Sequence, residues 1–411
     1  MNERLAVIDG IRTPFCKAGS DLAGQAPDEL GRVAVTALLA KTGLDPAVID
    51  EVIFGCVGQP VDAANIARVI ALRAGIPPSV PAMTVQRNCA SGFEAITVAS
   101  ERIHAGHGTV FIVGGTESMS QSPMLFRHEA ARKFGAVAKA KSTGTKLRAL
   151  LEFRPADFAP RIGLKLGLTD PVSGLNMGET AEILAQDFKI SREAQDEFAL
   201  RSHQRAWNAA EKFAEEIVPV FLTRSDGRAV TRDNGPREKQ SLADLARLRP
   251  VFEKHGTVTA GNSSQITDGA VALLVASERR AMELGLHPLG TLVDYAYAGC
   301  DPARMGLGPV FAIRKLQERS GVRAGDADIV EINEAFAAQV LAVLQQLDTP
   351  IDLNRLNVNG GAIALGHPVG ATGARLVLSA LKELQRRNAA RALVSLCVGG
   401  GQGGALWLER N

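Results

Sequence analysis

The sequence predicts an α/β protein built around a wound sheet, and three observations support this. Short apolar stretches with strand character alternate with helical stretches along the 411 residues. Glycine contributes 41 residues while aromatic residues make up only 5%, which favours a fold with many tight turns over an antiparallel β fold. The second half of the chain repeats the plan of the first, which indicates an internal duplication.

Each element of the first half is predicted from an apolar run or a helical period that ends near glycine or proline. In order they are a strand at 5–8, a helix at 29–42, a strand at 52–54, a helix at 64–74, a helix at 90–104 that begins after Cys89, and a strand at 109–113 that ends in Gly114 and Gly115.

In the second half, a strand at 329–332 precedes Asn333, and a helix at 372–387 is preceded by Gly366-His367-Pro368. A strand at 392–397 follows and ends in Gly399-Gly400-Gly401. The repeated unit therefore places Cys89 at a helix start in one half. In the other half it places His367 at a helix start and Cys397 at a strand end.

An interruption at about 123–255 separates the two copies. Its first part, 127–165, is strongly basic, with ten Lys or Arg residues against three acids. The part that follows is mixed in charge and helical, as in 191–212, where Ser191 suits a helix start. The net charge of the whole chain is only +2, so the composition gives no indication of nucleic-acid binding.

The chain carries five cysteines, an odd number with no CxxC pair. This favours a reducing, intracellular compartment over a disulfide framework or a structural zinc site. The short apolar run near the N-terminus does not resemble a signal peptide, and no run of 18 apolar residues occurs. We therefore expect a cytoplasmic protein without a transmembrane helix.

Cys89 follows polar residues and precedes small ones, in Arg87-Asn88-Cys89-Ala90-Ser91. A helix N-terminus stabilises a thiolate through its free N–H groups and its dipole, and small neighbours let a substrate reach the sulfur. The structural alternative is a buried cysteine that behaves as a small apolar residue.

The other three candidates each leave two interpretations open. Cys397 is either a core cysteine of the last strands or a thiol at the sheet edge where open α/β sheets bind ligands. His367, fixed between Gly366 and Pro368, is more plausibly positioned for chemistry than a structural or merely exposed histidine. Asn333, directly after a strand, is interpreted equally well as part of a helix cap or of a polar site.

Taken together, four motifs resemble those of the thiolase family: Cys89-Ala90-Ser91, Asn333-Glu334-Ala335-Phe336, Gly366-His367-Pro368 and Cys397-Val398-Gly399. They occur in family order and near family spacing, and the resemblance covers essentially the whole chain. It implies a duplicated thiolase fold, with two βαβαβαββ halves in a five-layer α-β-α-β-α arrangement. The implied domains are an N-terminal half at 1–122 and 256–289, an inserted loop domain at 123–255, and a C-terminal half at 290–411.

The resemblance also implies a role for each motif in acyl transfer. Cys89 would be the acylated nucleophile, His367 would take its proton, and Cys397 would be the second acid/base. Asn333, through a held water, and His367 would form one oxyanion site, and the backbone N–H groups of Cys89 and Gly399 would form the other. No metal is implied, because the CoA thioester already acidifies the α-carbon and leaves readily.

Six further residues are implied as contacts of coenzyme A, which would be a substrate rather than a permanently bound cofactor. They are Arg237 near the adenine, Ser264 near the pantetheine, Phe252 and Met177 along the pantetheine tunnel, and Ala260 and Phe336. The alternatives are a solvated loop charge for Arg237 and core packing for Phe252 and Met177. Asn176 departs from the family pattern, since many short-chain thiolases carry His before the Met-Gly step.

The basic segment 127–165 resembles the insertion in thiolase subunits of trifunctional fatty-acid oxidation complexes. There it is linked to membrane association or to the hydratase/dehydrogenase partner subunit. We therefore hypothesise a degradative 3-ketoacyl-CoA thiolase of fatty-acid β-oxidation, with a biosynthetic acetyl-CoA acetyltransferase as the alternative. The alternative for the segment is a solvated lid that packs on a neighbouring subunit or lies near the CoA phosphates.

Two other functions are disfavoured by the residues present. A non-catalytic acyl-CoA binder on the same scaffold would not need the intact set of Cys89, His367 and Cys397. A ketoacyl synthase would carry His in place of Cys397. By resemblance we expect a homodimer or a homotetramer that binds CoA and acyl-CoA thioesters.

Overall fold

The computed structural model describes residues 3–222 and 227–410, so the extreme ends of the predicted N- and C-terminal halves lie outside the described residues. The N-terminal half contains every predicted element, with strands longer than expected. Its elements are β1 (Leu5–Arg12), β2 (Cys16–Lys17), α1 (Pro27–Thr42), β3 (Glu51–Gly55), α2 (Ile66–Arg73), β4 (Ala82–Val85), α3 (Ser91–His104) and β5 (Val110–Ser118).

Local sequence accounts for where these helices begin and end. α1 begins at Pro27, whose missing N–H is not needed in a first turn, and Asp28 and Glu29 lie where the helix dipole favours negative charge. α1 ends at Gly43, which adopts a φ of 63°. α3 begins at Ser91, directly after the turn that carries Cys89.

The interruption consists mainly of short helices. Its elements are β6 (Met124–Leu125), α4 (His128–Lys139), α5 (Thr143–Leu151), β7 (Arg161–Ile162), α6 (Gly163–Gly167), α7 (Met177–Asp187), α8 (Arg192–Asn208), α9 (Ala210–Ala214), β8 (Val220–Phe221), β9 (Ala229–Val230) and α10 (Leu242–Ala246). The ring of Phe134 lies 5.1 Å from that of Phe126, 4.8 Å from that of Phe153 and 6.2 Å from that of Phe158, between centroids. The basic segment therefore has a small cluster of aromatic rings of its own, which remains partly exposed.

The remaining strands complete the N-terminal half and build the C-terminal half. They and their helices are β10 (Thr267–Ser277), α11 (Glu278–Glu283), β11 (Gly290–Gly299), α12 (Gly308–Ser320), β12 (Ile329–Ile332), α13 (Ala337–Gln346), α14 (Ala362–Leu365), α15 (Val369–Arg387), β13 (Arg391–Val398) and β14 (Gln402–Glu409). Where the first copy pairs β3 with β4, the second has an isolated parallel bridge between Val330 and Leu356. The third strand of the repeat is thus reduced to a bridge in the second copy.

Within the described residues, ten strands form one mixed sheet in the order β12-β13-β14-β11-β1-β10-β5-β3-β4, with β2 on β10. An antiparallel pair of β1 and β11, which aligns Leu5 with Leu292, joins the two halves. The duplicated halves therefore share a continuous sheet.

The two faces of this sheet pack against different helix layers. α3 and α15 lie between the two halves, in a core that includes Phe93 and Leu376. α1 and α2 cover the opposite face of the first half, and α12 and α13 cover that of the second. Side chains alternate accordingly along β5, where Phe111 and Val113 face the central helices and Ile112 faces the outer ones. The predicted five-layer α-β-α-β-α arrangement is confirmed.

One prediction for this sheet was wrong, because the strand predicted at 109–113 does not end at Gly114 and Gly115. It continues as β5 to Ser118. The glycines serve close packing rather than a turn, since a Cβ atom on Gly115 would lie 1.9 Å from the carbonyl oxygen of Gly370 in α15. The extra length carries the buried Glu117 to the N-terminus of α15.

The surface of the basic segment carries exposed apolar side chains as well as charges. They include Met124, Leu125, Phe126, Leu147, Leu150, Leu151, Phe158 and Ile162. Among residues 3–222 and 227–410, no helix has both the length and the apolar character needed to cross a bilayer.

Candidate active site

Two turns in matching positions of the duplicated halves carry the candidate nucleophile and the candidate base. Each begins with an asparagine of positive φ. Asn88, with φ 42°, precedes Cys89, and Asn357, with φ 44°, begins the turn that leads to His367. These turns open into α3 and α15, which contact each other closely along their first turns. The duplication therefore places the turns of Cys89 and His367 at the adjoining starts of two packed helices.

The sulfur of Cys89 lies among backbone donors from both halves. The N–H groups of Gly399 and of Cys89 itself both favour the charged form of this sulfur. Asn88 fixes Gly399, because its Nδ2 donates to the Gly399 carbonyl oxygen over 2.7 Å. Burial raises the pKa of the Cys89 thiol, the two N–H groups oppose that rise, and the carboxylate of Glu117 adds to it. Cys89 thus rests as a thiol that needs a base.

Cys397 is the residue before the last in the strand β13, and it lies close to Cys89. It is 1% exposed. Burial raises the pKa of its thiol well above the ordinary value, and the nearby Cys89 raises it further. All five cysteines are unpaired. In the described part of the chain, no group of three or more His, Cys, Asp or Glu side chains could hold a metal ion.

His367 is held in one tautomer by its neighbours. The Thr372 hydroxyl donates to the Pro368 carbonyl oxygen over 2.9 Å, so its oxygen accepts the Nδ1–H of His367 across 2.7 Å. Nε2 therefore carries the lone pair, and it lies 3.5 Å from Asn333 Nδ2. Burial lowers the pKa of His367 to about 4, with a further contribution from Arg375. The imidazole is neutral at pH 7 and can accept a proton at Nε2.

Asn333 follows the strand β12, and its backbone N–H donates to Ser395 in the parallel strand β13 over 2.9 Å. Its side-chain Oδ1 is buried, and no donor among the described residues reaches it. Buried acceptors of this kind are usually hydrogen-bonded to protein or water, so this oxygen has the capacity to hold a water molecule at the site.

The helix-cap interpretation of the Asn333-Glu334 pair is wrong, because Phe336 occupies the N-cap position of α13. Glu334 is instead buried and accepts hydrogen bonds from Ser202 Oγ over 2.6 Å and Asn357 Nδ2 over 2.8 Å. It therefore fixes the beginning of the turn that leads to His367.

Three of the side chains expected to contact coenzyme A pack beside Cys397. Met177, Phe252 and Phe336 belong to the same apolar cluster as Cys397. The rings of Phe252 and Phe336 are nearly perpendicular, with centroids 6.0 Å apart. The Met177 sulfur would lie 3.4 Å from a Cβ atom placed on Gly399. These side chains offer apolar contacts beside Cys397.

The other expected contacts of coenzyme A lie nearer the solvent. Ser264 is half-buried, and its N–H donates to the Ala335 carbonyl oxygen over 2.9 Å. Ala260 and Arg237 are exposed, and Arg237 Nη1 donates to Gln240 Oε1 over 3.2 Å. These residues are accessible to a ligand that arrives from solution.

Asn176, the departure from the family pattern, is the N-cap of α7. Its Oδ1 accepts the N–H groups of Gly178 and Glu179, each over 3.0 Å. Asparagine is among the residues preferred at this position, so its presence has a local structural reason.

Sequence reasoning missed three residues that position the site: Asn88, Thr372 and Glu117. Asn88 had a signal, because asparagine in a tight polar turn before a helix favours positive φ. The other two had none that was local. Thr372 is recognisable only once His367 is placed, and Glu117 accepts a hydrogen bond from the N–H of Gly370, 253 residues later.

Comparison with known proteins agrees with this geometry. The family model of the thiolase N-terminal domain matches residues 5–279, and that of the thiolase C-terminal domain matches 286–410. The acetyl-CoA acetyltransferase of Allochromatium vinosum is 41% identical, with 100% of each chain covered. The β-ketoadipyl-CoA thiolase of Escherichia coli is 44% identical, with 98% of each chain covered.

Structural similarity leads to the same family. The crystal structure of human mitochondrial 3-ketoacyl-CoA thiolase in complex with CoA superposes with a TM-score of 0.89 at 38% identity. The match covers 100% of this chain and 98% of the human one. The chain belongs to the thiolase family of acyltransferases.

Proposed function

We propose that the protein is a thiolase that cleaves 3-ketoacyl-CoA with coenzyme A through an acyl thioester on Cys89. The observation that carries the proposal is the convergence at Cys89. The N–H groups of Gly399 and Cys89 lower the pKa of its thiol, and Cys397 lies close enough for Cys89 to raise the pKa of the second thiol. A nucleophile, two oxyanion donors and a second thiol are the groups that this reaction needs.

In the first half-reaction, His367 Nε2 accepts the proton of Cys89, and the thiolate attacks the 3-keto carbon. The N–H groups of Cys89 and Gly399 stabilise the charge that develops on the 3-keto oxygen. Cleavage of the bond between C2 and C3 leaves the acyl group on Cys89. The released acetyl-CoA enolate is stabilised by protonated His367 and an Asn333-bound water until the Cys397 thiol protonates C2.

In the second half-reaction, the Cys397 thiolate removes the proton from the thiol of an incoming CoA. The CoA sulfur attacks the acyl thioester, Cys89 leaves as a thiolate, and protonated His367 returns its proton to Cys89. The raised pKa of the buried Cys397 suits both steps. It keeps the proton until the carbanion forms and makes the resulting thiolate a strong base.

We favour a degradative role in fatty-acid β-oxidation over condensation of two acetyl-CoA molecules. The basic segment 127–165 supports this choice, because it resembles the insertion in the thiolase subunits of trifunctional fatty-acid oxidation complexes. The name of the Allochromatium relative supports the alternative, an acetyl-CoA acetyltransferase. That of the Escherichia coli relative adds 3-oxoadipyl-CoA to the substrates worth testing.

A panel of 3-ketoacyl-CoA substrates of increasing chain length, assayed with free CoA, tests the proposal. We expect thiolysis to extend beyond acetoacetyl-CoA to longer chains. Activity confined to acetoacetyl-CoA would exclude the degradative role. Tight binding of CoA without thiolysis of any substrate, together with iodoacetamide labelling of Cys89 that prior incubation with substrate does not block, would identify a non-catalytic binder.

We further propose that the basic segment 127–165 attaches the protein to an anionic membrane surface. Its exposed Leu147, Leu150 and Leu151 on α5 accompany the excess of Lys and Arg, a combination that suits the charged interface of a bilayer. One of its few acids, Asp157, is already paired with Lys133 at 2.7 Å.

Co-sedimentation with neutral and with anionic vesicles, each at low and high salt, tests this attachment. We expect binding to anionic vesicles that weakens as salt rises. Absence of binding would contradict it and leave a neighbouring subunit or a hydratase/dehydrogenase partner as the occupant.

We also propose a cytoplasmic homodimer or homotetramer. Light scattering of the purified protein tests the oligomeric state.

A further inference from the structure

Arg12, the last residue of β1, is 1% exposed and holds two carboxylates at once. Its Nε donates to Glu216 over 2.7 Å, and its Nη1 and Nη2 donate to the two oxygens of Asp233 over 2.7 and 2.8 Å. The rings of Phe15 and Phe213 each lie 5.1 Å from the guanidinium carbon. Arg12 thus joins the N-terminal half to two separate parts of the inserted segment.

Backbone hydrogen bonds reinforce the contacts of Arg12 with Glu216 and Asp233, which together are called the clamp below. The N–H of Arg12 donates to the Glu216 carbonyl oxygen over 2.8 Å, and the N–H of Val218 donates to the Arg12 carbonyl oxygen over 2.9 Å. The carboxylate of Asp233 also accepts the N–H of Phe15 over 2.7 Å. Buried charges persist when each has partners of this quality, so the position of Asp233 is tightly fixed.

The chain between the clamp and Arg237 has little freedom. Asp233 lies four residues before Arg237. The side chain of Asn234 is hydrogen-bonded to the segment that follows β1. Gly235 lies against the helix α14, where a Cβ atom would come 2.2 Å from the Ala364 carbonyl oxygen. The position of the exposed Arg237 therefore depends on how Asp233 is held.

We propose that Arg12 and Asp233 are positioning residues for coenzyme A, which hold the segment 233–237 so that Arg237 meets the nucleotide end of the coenzyme. This inference rests on the proposed function and on the contact between Arg237 and the adenine that the family resemblance implies. Arg12 acts through the chain and contacts neither the coenzyme nor Cys89 and Cys397. Glu216 binds the same guanidinium but precedes β8 and β9, so its loss should leave the segment 233–237 in place.

A matched pair of variants, Asp233→Asn and Glu216→Gln, tests the inference. Each removes one carboxylate charge from Arg12 and keeps the shape of the side chain. Thiolysis is measured with CoA and with pantetheine, which carries the same reactive thiol without the nucleotide. For Asp233→Asn we expect the KM for CoA to rise about tenfold, the size of one lost charged contact, while the KM for pantetheine changes less than about twofold. Glu216→Gln should change neither KM.

Two results would overturn the inference. One is an unchanged KM for CoA in Asp233→Asn. The other is a rise that pantetheine shares or that Glu216→Gln reproduces, because either would mean a general loosening of the fold. Arg12→Lys provides a second variant, since lysine keeps the charge but cannot bind both carboxylates in this geometry.

Direct binding separates this inference from the proposed function. Calorimetric titration of the same variants with CoA and with pantetheine reports the nucleotide-specific loss without any turnover. A wild-type protein that binds CoA more tightly than pantetheine but shows no thiolysis would refute the proposed function alone. Loss of that preference in Asp233→Asn would still support the clamp.

Discussion

The two duplicated halves differ at the turn that leads into each central helix. In the first, Asn88 is followed at once by Cys89, and α3 begins at Ser91. In the second, the helix α14 and Gly366, with a φ of 97°, separate Asn357 from α15. The short turn leaves Cys89 half-buried at a helix start, whereas the long turn leaves His367 only 8% exposed. One repeated half-fold thus supplies a reachable side chain for the proposed nucleophile and a shielded one for the proposed base.

The two asparagines also make different contacts. Asn88 reaches across to the other half and fixes Gly399. Asn357 bonds within its own half, to the backbone of Ile332 and to Glu334. The same left-handed backbone conformation therefore supports the candidate active site in one copy and the stability of the fold in the other.

The largest expected effect is found by comparing two of the three thiols of the first half. Cys89→Ala should lower kcat/KM for thiolysis by about four orders of magnitude, because no other group can carry the acyl chain. Cys16→Ala, which changes a buried thiol on β2, should remain within about threefold of wild type. Steady-state thiolysis of one 3-ketoacyl-CoA measures both. Similar losses in the two variants would contradict the assignment of the nucleophile.

The next effect is a pH dependence of stability that we expect from His367 but not from Cys89. His367 has a pKa of about 4 in the folded protein against 6.5 for an ordinary histidine, so the unfolded chain binds more protons between these values. Its contribution to the free energy of unfolding is complete above pH 6.5 and is lost as the pH falls towards 4, on the order of 3 kcal/mol in total. The Cys89 thiol is neutral in both states over this range and contributes nothing.

Urea unfolding at pH 7 and pH 4.5, compared between wild type and His367→Asn, isolates this contribution. We expect the stability of the variant to fall less than that of wild type as the pH drops. Parallel losses in the two proteins would show that His367 is not buried in its neutral form.

A smaller effect compares one threonine on each central helix. Thr372→Val removes the acceptor of the His367 Nδ1–H, which should lower kcat roughly 100-fold, the lower range for a positioned proton-transfer group. Thr97→Val on α3 removes a buried hydroxyl that lies 3.1 Å from the Tyr297 hydroxyl, away from the imidazole. We expect kcat of this control to stay near wild type. The idea of a fixed tautomer fails if both variants keep full kcat.

The smallest effect concerns the paired asparagines, both replaced by glycine so that positive φ is retained. Asn357→Gly should lower the free energy of unfolding by about 2 kcal/mol through its buried hydrogen bonds. Asn88→Gly should destabilise less but lower kcat about tenfold, because Gly399 loses its anchor. Chemical unfolding and steady-state kinetics measure the two losses, and an identical profile for both variants would remove the distinction between the turns.

The sequence was informative where the signal was local. The helix predicted at 90–104 is α3 (Ser91–His104), and the strand predicted at 329–332 is β12 (Ile329–Ile332). The candidate residues were recognisable because motif residues follow such elements directly. Their convergence needed the tertiary structure, since Asn333 and His367 meet only after parallel strands and packed helices are assembled.

What the sequence could not predict came from contacts between distant segments. The glycines of β5 suggested a turn, but their missing side chains make room for α15. Arg12 in an N-terminal strand gave no indication of its two carboxylates, which lie 204 and 221 residues away along the chain. Hydrophobic periodicity describes a single helix or strand. The identity of these residues depends instead on contacts with a second, distant element, which periodicity does not identify.

The position of β1 between β10 and β11 has a consequence for biosynthesis. Both neighbours lie in 267–299, so β1 leaves the ribosome roughly 250 residues before it can pair, a delay of about 13–50 s at ordinary translation rates. During that time a strand rich in Val, Ile and Leu has two open edges, which invites association between nascent chains. The first strand to emerge therefore waits for more than half of the chain before either neighbour exists, and the yield of folded protein should rise with slower initiation or with co-expressed chaperones.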